Sequence, residues 1–270
     1  MKWFRPFFIL ILSICGISLR AEAPVDDYCS LRNTAYQAGE QLTYTVYYAV
    51  AGIYVNAGTA IFTNALERLN GRPVYHITGD GKTNSSYDFL YTVRDKYESY
   101  IDTANMLPLK FVRNVREGDH KKFETVTFNR TANSAITNNG VYKVPLCVQD
   151  VLSSMYYARN FNFDKYKPGD RIPFSMFLDN EVFNMYLRYL GKETVKTRYG
   201  KFNAIKFKPL LLKGTIFEGG EKMTVWVSDD ANHIPLRVES PISVGSVKVD
   251  MMAYRNLRYP LSSLRHLRGN

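Results

Sequence analysis

The stretch Tyr100-Ile101-Asp102-Thr103-Ala104-Asn105-Met106-Leu107-Pro108-Leu109-Lys110-Phe111 returns, without a gap, as Val227-Ser228-Asp229-Asp230-Ala231-Asn232-His233-Ile234-Pro235-Leu236-Arg237-Val238. Both copies read as strand, turn, strand. Asp and Asn hydrogen-bond their own backbone, and Asn tolerates a left-handed conformation, so both suit a corner. Proline then opens the returning strand, where its missing N–H costs no ladder bond.

Outward from that corner, further anchors recur in the same order. Ala38-Gly39-Glu40-Gln41-Leu42 answers Pro168-Gly169-Asp170-Arg171-Ile172, Gly71-Arg72 answers Gly200-Lys201, and Gly118 answers Gly245. They predict two copies of one multi-strand unit, residues 38–130 and 168–257, joined by a helix-containing linker, 131–167. Convergence on common turns is the competing explanation. Two copies cannot stand as an independent array, which needs at least about three repeats to bury a continuous core. Residues 24–270 therefore read as a single domain.

Most of that domain alternates with period two. Leu42, Tyr44, Val46, Tyr48 and Val50 lead the pattern, Gly58 suggests a bulge or close approach, and Asn70-Gly71 marks a hairpin. One segment departs from it. Val148, Val151, Leu152, Met155 and Tyr156 recur at helical spacing with Asp150 placed to cap, predicting a helix from Val151 to Asn160 packed on the sheet. The basic tail from Arg258 is expected to fray. The fold class is all-β with one short helix: a large curved antiparallel sheet, or a barrel-like fold, built from two similar halves. The 20 Tyr and 16 Phe fit half-buried pleated surfaces. Such a sheet encloses a cavity or packs as a sandwich, and the pattern allows both.

Residues 1–23 read as a signal peptide. Lys2 and Arg5 precede an apolar run from Phe7 to Ile17, and Ala21-Glu22-Ala23 offers a cleavage site. Cys15 raises a lipoprotein alternative, against which Ile14 stands as too bulky for that signal. The expected location is outside the cytoplasm, in the periplasm or at the outer membrane. No later segment is apolar enough to span a bilayer, so an integral membrane protein is not expected. The leader carries three cations and one anion, so its removal lowers the net charge from +10 to +8. An exported chain with that excess is not expected to meet nucleic acid. Anionic lipid or polysaccharide would match it, and solubility alone would also account for it.

Candidate chemistry is sparse. Gly79-Asp80-Gly81-Lys82-Thr83 lacks the upstream glycine of a phosphate loop and reads as a strand end and turn. His76, His120, His233 and His266 show no metal-ligand spacing, and no Gly-x-Ser-x-Gly occurs. No catalytic residue, metal or cofactor is expected. Cys29 and Cys147 either pair in the oxidising compartment or remain free thiols. Lys110 and Arg237 occupy equivalent positions two residues after the corner prolines. If their face looks into a concavity, they form a paired anion contact with Tyr100 and Trp226 nearby; if it looks outward, they are solvated.

Gly39-Glu40 with the tyrosines that follow, Asp150-x-x-Ser153 entering the helix, Tyr189-Leu190-Gly191-Lys192-Glu193, and Trp226-Val227-Ser228-Asp229-Asp230 through Pro235-Leu236-Arg237 resemble the exported bacterial domain-of-unknown-function family 3108. The resemblance covers nearly all of the mature chain. It implies an envelope location and a β-barrel-like architecture similar to the YmcC-like fold, and brings no established activity or catalytic residues. The strand-turn-proline corner alone is similar to lipoprotein-carrier half-barrels. Three function classes follow. The first is a non-catalytic envelope protein binding an amphiphile or glycan in a β-walled cavity. The alternatives are a structural or assembly factor acting through its surface, and a hydrolase whose site is assembled from residues distant in sequence.

Overall fold

The computed structural model describes residues 31–50, 53–87, 91–212, 219–242 and 245–267. The expected signal peptide, Cys15 and Cys29 lie outside the described residues. Two antiparallel meanders make up the chain. The first runs β1 (Gln41–Val50), β2 (Ile53–Leu69), β3 (Arg72–Thr83), β4 (Arg94–Asp102), β5 (Pro108–Glu117), β6 (His120–Asn129), β7 (Ser134–Thr137) and β8 (Gly140–Lys143). Helix α1 (Val151–Ala158) separates it from the second, which runs β9 (Arg171–Leu178), β10 (Glu181–Lys196), β11 (Gly200–Pro209), β12 (Thr224–Ser228), β13 (Pro235–Pro241), β14 (Ser246–Arg255) and β15 (Leu264–Leu267). Strand β1 pairs with β14, so one sheet passes from β8 through β1 to β14 and on to β9.

The period-two pattern sets which face points inward. On β4, Ser99 and Ile101 are buried while Lys96 is exposed. The β2–β3 turn has Asn70 at φ 51° and Gly71 at φ 83°, the left-handed pair a tight hairpin demands. Register slips between Val46 and Tyr47 opposite Gly58, where a Cβ would collide with the Lys82 carbonyl. The bulge and the close approach are thus both present.

Three expectations need correction. Gly79–Thr83 holds no turn: it is the extended end of β3, which runs to Thr83. The reason is packing: a Cβ on Gly79 would lie 3.0 Å from the Phe62 ring and 3.4 Å from Leu152, so glycine makes room for α1 on the sheet. The tail does not fray from Arg258, because β15 pairs with β11 and Leu257, Leu261 and Leu264 pack against Phe202 and Ala204 and their neighbours. Those β11 positions are apolar on the side away from α1 and need cover. The helix also stops two residues earlier than expected. Its start is as predicted: Asp150 accepts from Ser153 N at 2.8 Å and Ser153 Oγ accepts from Asp150 N at 2.8 Å, a reciprocal cap.

Leu152, Tyr156 and Tyr157 of α1 share one core with Ile77 and Ile101 from the first meander and Ile172, Leu187 and Ile205 from the second. The sheet therefore curls around the helix. It does not close. Strand β6 meets β7 only over Thr127–Asn129, leaving the rest of that edge without a strand partner among the described residues. Across this seam, Gln149 bridges to β9, donating to Ser175 O at 2.9 Å and accepting from Phe177 N at 2.8 Å. A third core holds Phe177 against Phe111, Val126 and Phe128.

The two corners share features. Met106 (φ 61°) and His233 (φ 43°) sit at equivalent positions, both left-handed, and each is followed two residues later by the strand-opening proline. Pairing resumes at Ile101–Pro108 in one and Val227–Pro235 in the other, so the bulge is one residue out of step.

Candidate ligand cavity

Inward positions of both meanders enclose a cavity of about 950 Å³. Its walls are apolar: Leu42, Tyr44 and Phe62 near the β1–β14 junction, Phe174, Met176 and Met185 near the seam, and Phe207 and Val225 between them. One side is Val151, Met155 and Tyr156 of α1. Tyr44 stands edge-on to Phe62 at 5.7 Å and hydrogen-bonds Pro235 O at 3.0 Å, which holds its ring against the wall.

At the inner end lies a buried ion pair. Arg159, just past α1, grips Glu40 through two bonds of 2.5 and 2.8 Å and donates from Nε to Asn232 O at 3.0 Å. Its guanidinium lies between the rings of Tyr36 and Tyr156, 5.3 and 5.2 Å from their centroids. Burial opposes the charge on Arg159, but the paired Glu40 outweighs it and raises the pKa above the ordinary value. His233 ties this arrangement to the corner, its Nδ1 donating to Arg159 O at 2.7 Å and its ring edge-on to Phe163. Met106 of the other corner meets the Tyr36 hydroxyl at 3.4 Å. One corner thus holds the lead-in to β1 at Tyr36 and the other the end of α1 at Arg159.

The charged groups of the wall gather at the seam. Arg113 on β5, itself buried, bonds Glu124 on β6 at 2.7 Å; the two face each other in register. Arg113 and Lys122 both bind Asp179 in the β9–β10 turn, and Thr137 donates to Asn180 Oδ1 at 2.9 Å. Burial would raise the Asp179 carboxyl, but its bonds to Lys122 and Arg113 hold it below the ordinary range. Glu117 and His120 flank this end. Behind them, burial and then the nearby Glu117 push Asp95 up to about 6, against its bond from Arg116 N.

None of the four residues singled out from sequence lines this cavity. Tyr100 lies outside, stacked on His76 at 4.1 Å with the Lys110 ammonium 5.5 Å from its ring. Arg237 is held by Asp250 through bonds of 2.6 and 2.9 Å, and Trp226 donates to Glu193 at 2.6 Å. Each cation does face its aromatic across the ladder, Lys110 with Tyr100 and Arg237 with Trp226, but as two separate pairs away from the cavity, the second with Trp226 buried in another core. Strand parity is the cause: Phe111, Arg113 and Val115 take the inner face of β5, so Lys110 takes the outer. Sequence reading passed over Arg113, Lys122 and Arg159. For Arg113 a signal existed, a cation alternating with apolar Phe111 and Val115.

Among the described residues no group of three His, Cys, Asp or Glu side chains is placed to hold a metal, and no helix is long and apolar enough to cross a membrane. Cys147 is disulfide-bonded, while Cys29, its expected partner, lies outside the described residues.

The overall fold is shared with a known structure. A β-barrel-like protein of domain of unknown function DUF1849 from Brucella abortus superposes with a TM-score of 0.52 at 8% identity, over 83% of this chain and 100% of that one. A protein with a YmcC-like fold from Bacteroides fragilis NCTC 9343 gives a TM-score of 0.31 at 16% identity, over 82% of this chain and 97% of that one. No match is found among curated proteins. The profile of a family described as "Protein of unknown function (DUF3108)" matches residues 43–252.

Proposed function

The chain belongs to the DUF3108 family, and we propose that it is an exported, non-catalytic envelope protein that holds an amphiphile in its β-walled cavity. The observation carrying this reading is an apolar space of about 950 Å³ whose charges gather at the seam and at one buried ion pair. That volume falls at the top of the ~300–1,000 Å³ range of small-molecule sites. Water finds few partners on such walls. An acyl chain gains roughly 0.8 kcal/mol per buried CH₂. Export rests on the basic and apolar segment before Ala23.

Native mass spectrometry of protein purified from its own envelope tests the proposal. The expected result is a retained lipid-like mass adduct, removed by organic extraction and restored by adding back the extract. Protein that carries no adduct, and binds neither lipid nor glycan from that envelope, would overturn it. The assembly-factor reading would then stand on the exposed apolar side chains Ile53, Phe123 and Val141.

A further inference from the structure

Resting on the cavity reading, the seam geometry points to the kind of headgroup the cavity takes: we infer that Arg113 and Lys122 form the seat for a singly charged anionic head, and that Asp179 fills this seat in the unliganded protein. Arg113 is only 8% exposed and borders the cavity, yet its Nε has no hydrogen-bond acceptor. A buried guanidinium donor without an acceptor is costly and marks a position prepared for one more oxygen.

The two carboxylates on Arg113 are not equivalent. Glu124 is buried and lies directly across the ladder, so it belongs to the sheet. Asp179 is half exposed, comes from the opposite side of the seam, and sits in a two-residue turn with Asn180 at φ 53° and 65°. Its carboxylate can leave for water at small cost, whereas Glu124 cannot. With Glu124 in place, Arg113 and Lys122 retain one positive charge, which Asp179 neutralises. A carboxylate or phosphodiester head does the same. A doubly charged phosphate monoester would leave an uncompensated negative charge beside Glu124 and Glu117. Recognition then divides by region: the tail meets the apolar walls, and the head meets Arg113 and Lys122 at the seam.

Calorimetric titration with dodecanoate and with neutral dodecanol separates head from tail. Lys122→Gln should weaken dodecanoate by about fivefold, the weight of one half-exposed ion pair, and leave dodecanol unchanged. Asp179→Asn removes the competing anion while keeping a turn residue that tolerates left-handed φ. It should tighten dodecanoate by a similar factor and again spare dodecanol. Thermal melting of each variant checks that the fold is retained. If both variants keep the wild-type ratio of the two affinities, the seat is elsewhere although the cavity binds tails. If wild type binds dodecanol but not dodecanoate, the seat is likewise refuted. Binding of neither probe removes the cavity reading and this inference together.

Discussion

Two buried residues separate packing from charge most clearly. Asp150 is fully buried, and burial pushes its carboxyl up to about 6 despite bonds from Ser153 and Ser99. The unfolded chain releases that proton near ~3.9. Between about pH 4 and 6 the folded state therefore holds a proton that the unfolded state has lost, so this group's contribution falls as pH rises through the window and is flat above it. Asp150→Asn keeps a competent cap and should remove that part of the slope. Urea unfolding from pH 4 to 7, read as the difference between the two proteins, isolates it from Asp95, which has the same sign; parallel curves would refute the assignment. Arg159 with Glu40 is the second case. Breaking it by Glu40→Gln leaves a buried guanidinium unpaired and should cost about 3–5 kcal/mol, while the double replacement Glu40→Gln with Arg159→Met should recover much of the loss. Equal destabilisation by single and double variants would show that the pair is not coupled. This contact could not be read from sequence, because its partners are 119 residues apart and meet only when the sheet curls.

At the level of elements, period two was legible and its phase was not. Alternation announced the strands, the Asn70-Gly71 hairpin and the helix cap, all of which rest on neighbours in sequence. Which parity faces inward depends on what the other meander presents. Of the two faces open to Lys110 and Arg237, neither side chain takes the one that lines the cavity. The extent of β3 and the docking of β15 were hidden for a related reason, since both depend on long-range cover. The corners themselves predict little energetic weight for their prolines. Each begins a strand, so Pro108→Ala or Pro235→Ala should cost about 0.4–1 kcal/mol through the unfolded chain; a loss of several kcal/mol in urea unfolding would show that the corner does more. If the two halves descend from one unit, an experimental structure should superpose β4–β5 on β12–β13 and carry the flanking strands along. Agreement confined to the corner would favour convergence.

For the molecule as a whole, the line between β6 and β9 matters most. Amide hydrogen exchange should be slowest at the doubly paired β1–β14 junction and orders of magnitude faster along the seam edge of β6, His120–Val126; equal protection would mean the sheet is closed in solution. A non-reducing peptide map should join Cys147 to Cys29, and a Cys147 peptide linked elsewhere would refute that pairing.

A fully closed barrel admits a guest only through its ends and must be at least as deep as the guest is long. This sheet has the outline of a C-clamp, with side chains, a single bridging residue and a hairpin turn across the opening. Such a slot can be loaded from the side, along the strands, by moving the turn and releasing the Gln149 bridge while every strand ladder stays intact. Its capacity is then set by girth and not by length, so a chain longer than the slot can lie partly within it, the excess trailing outside through the gap.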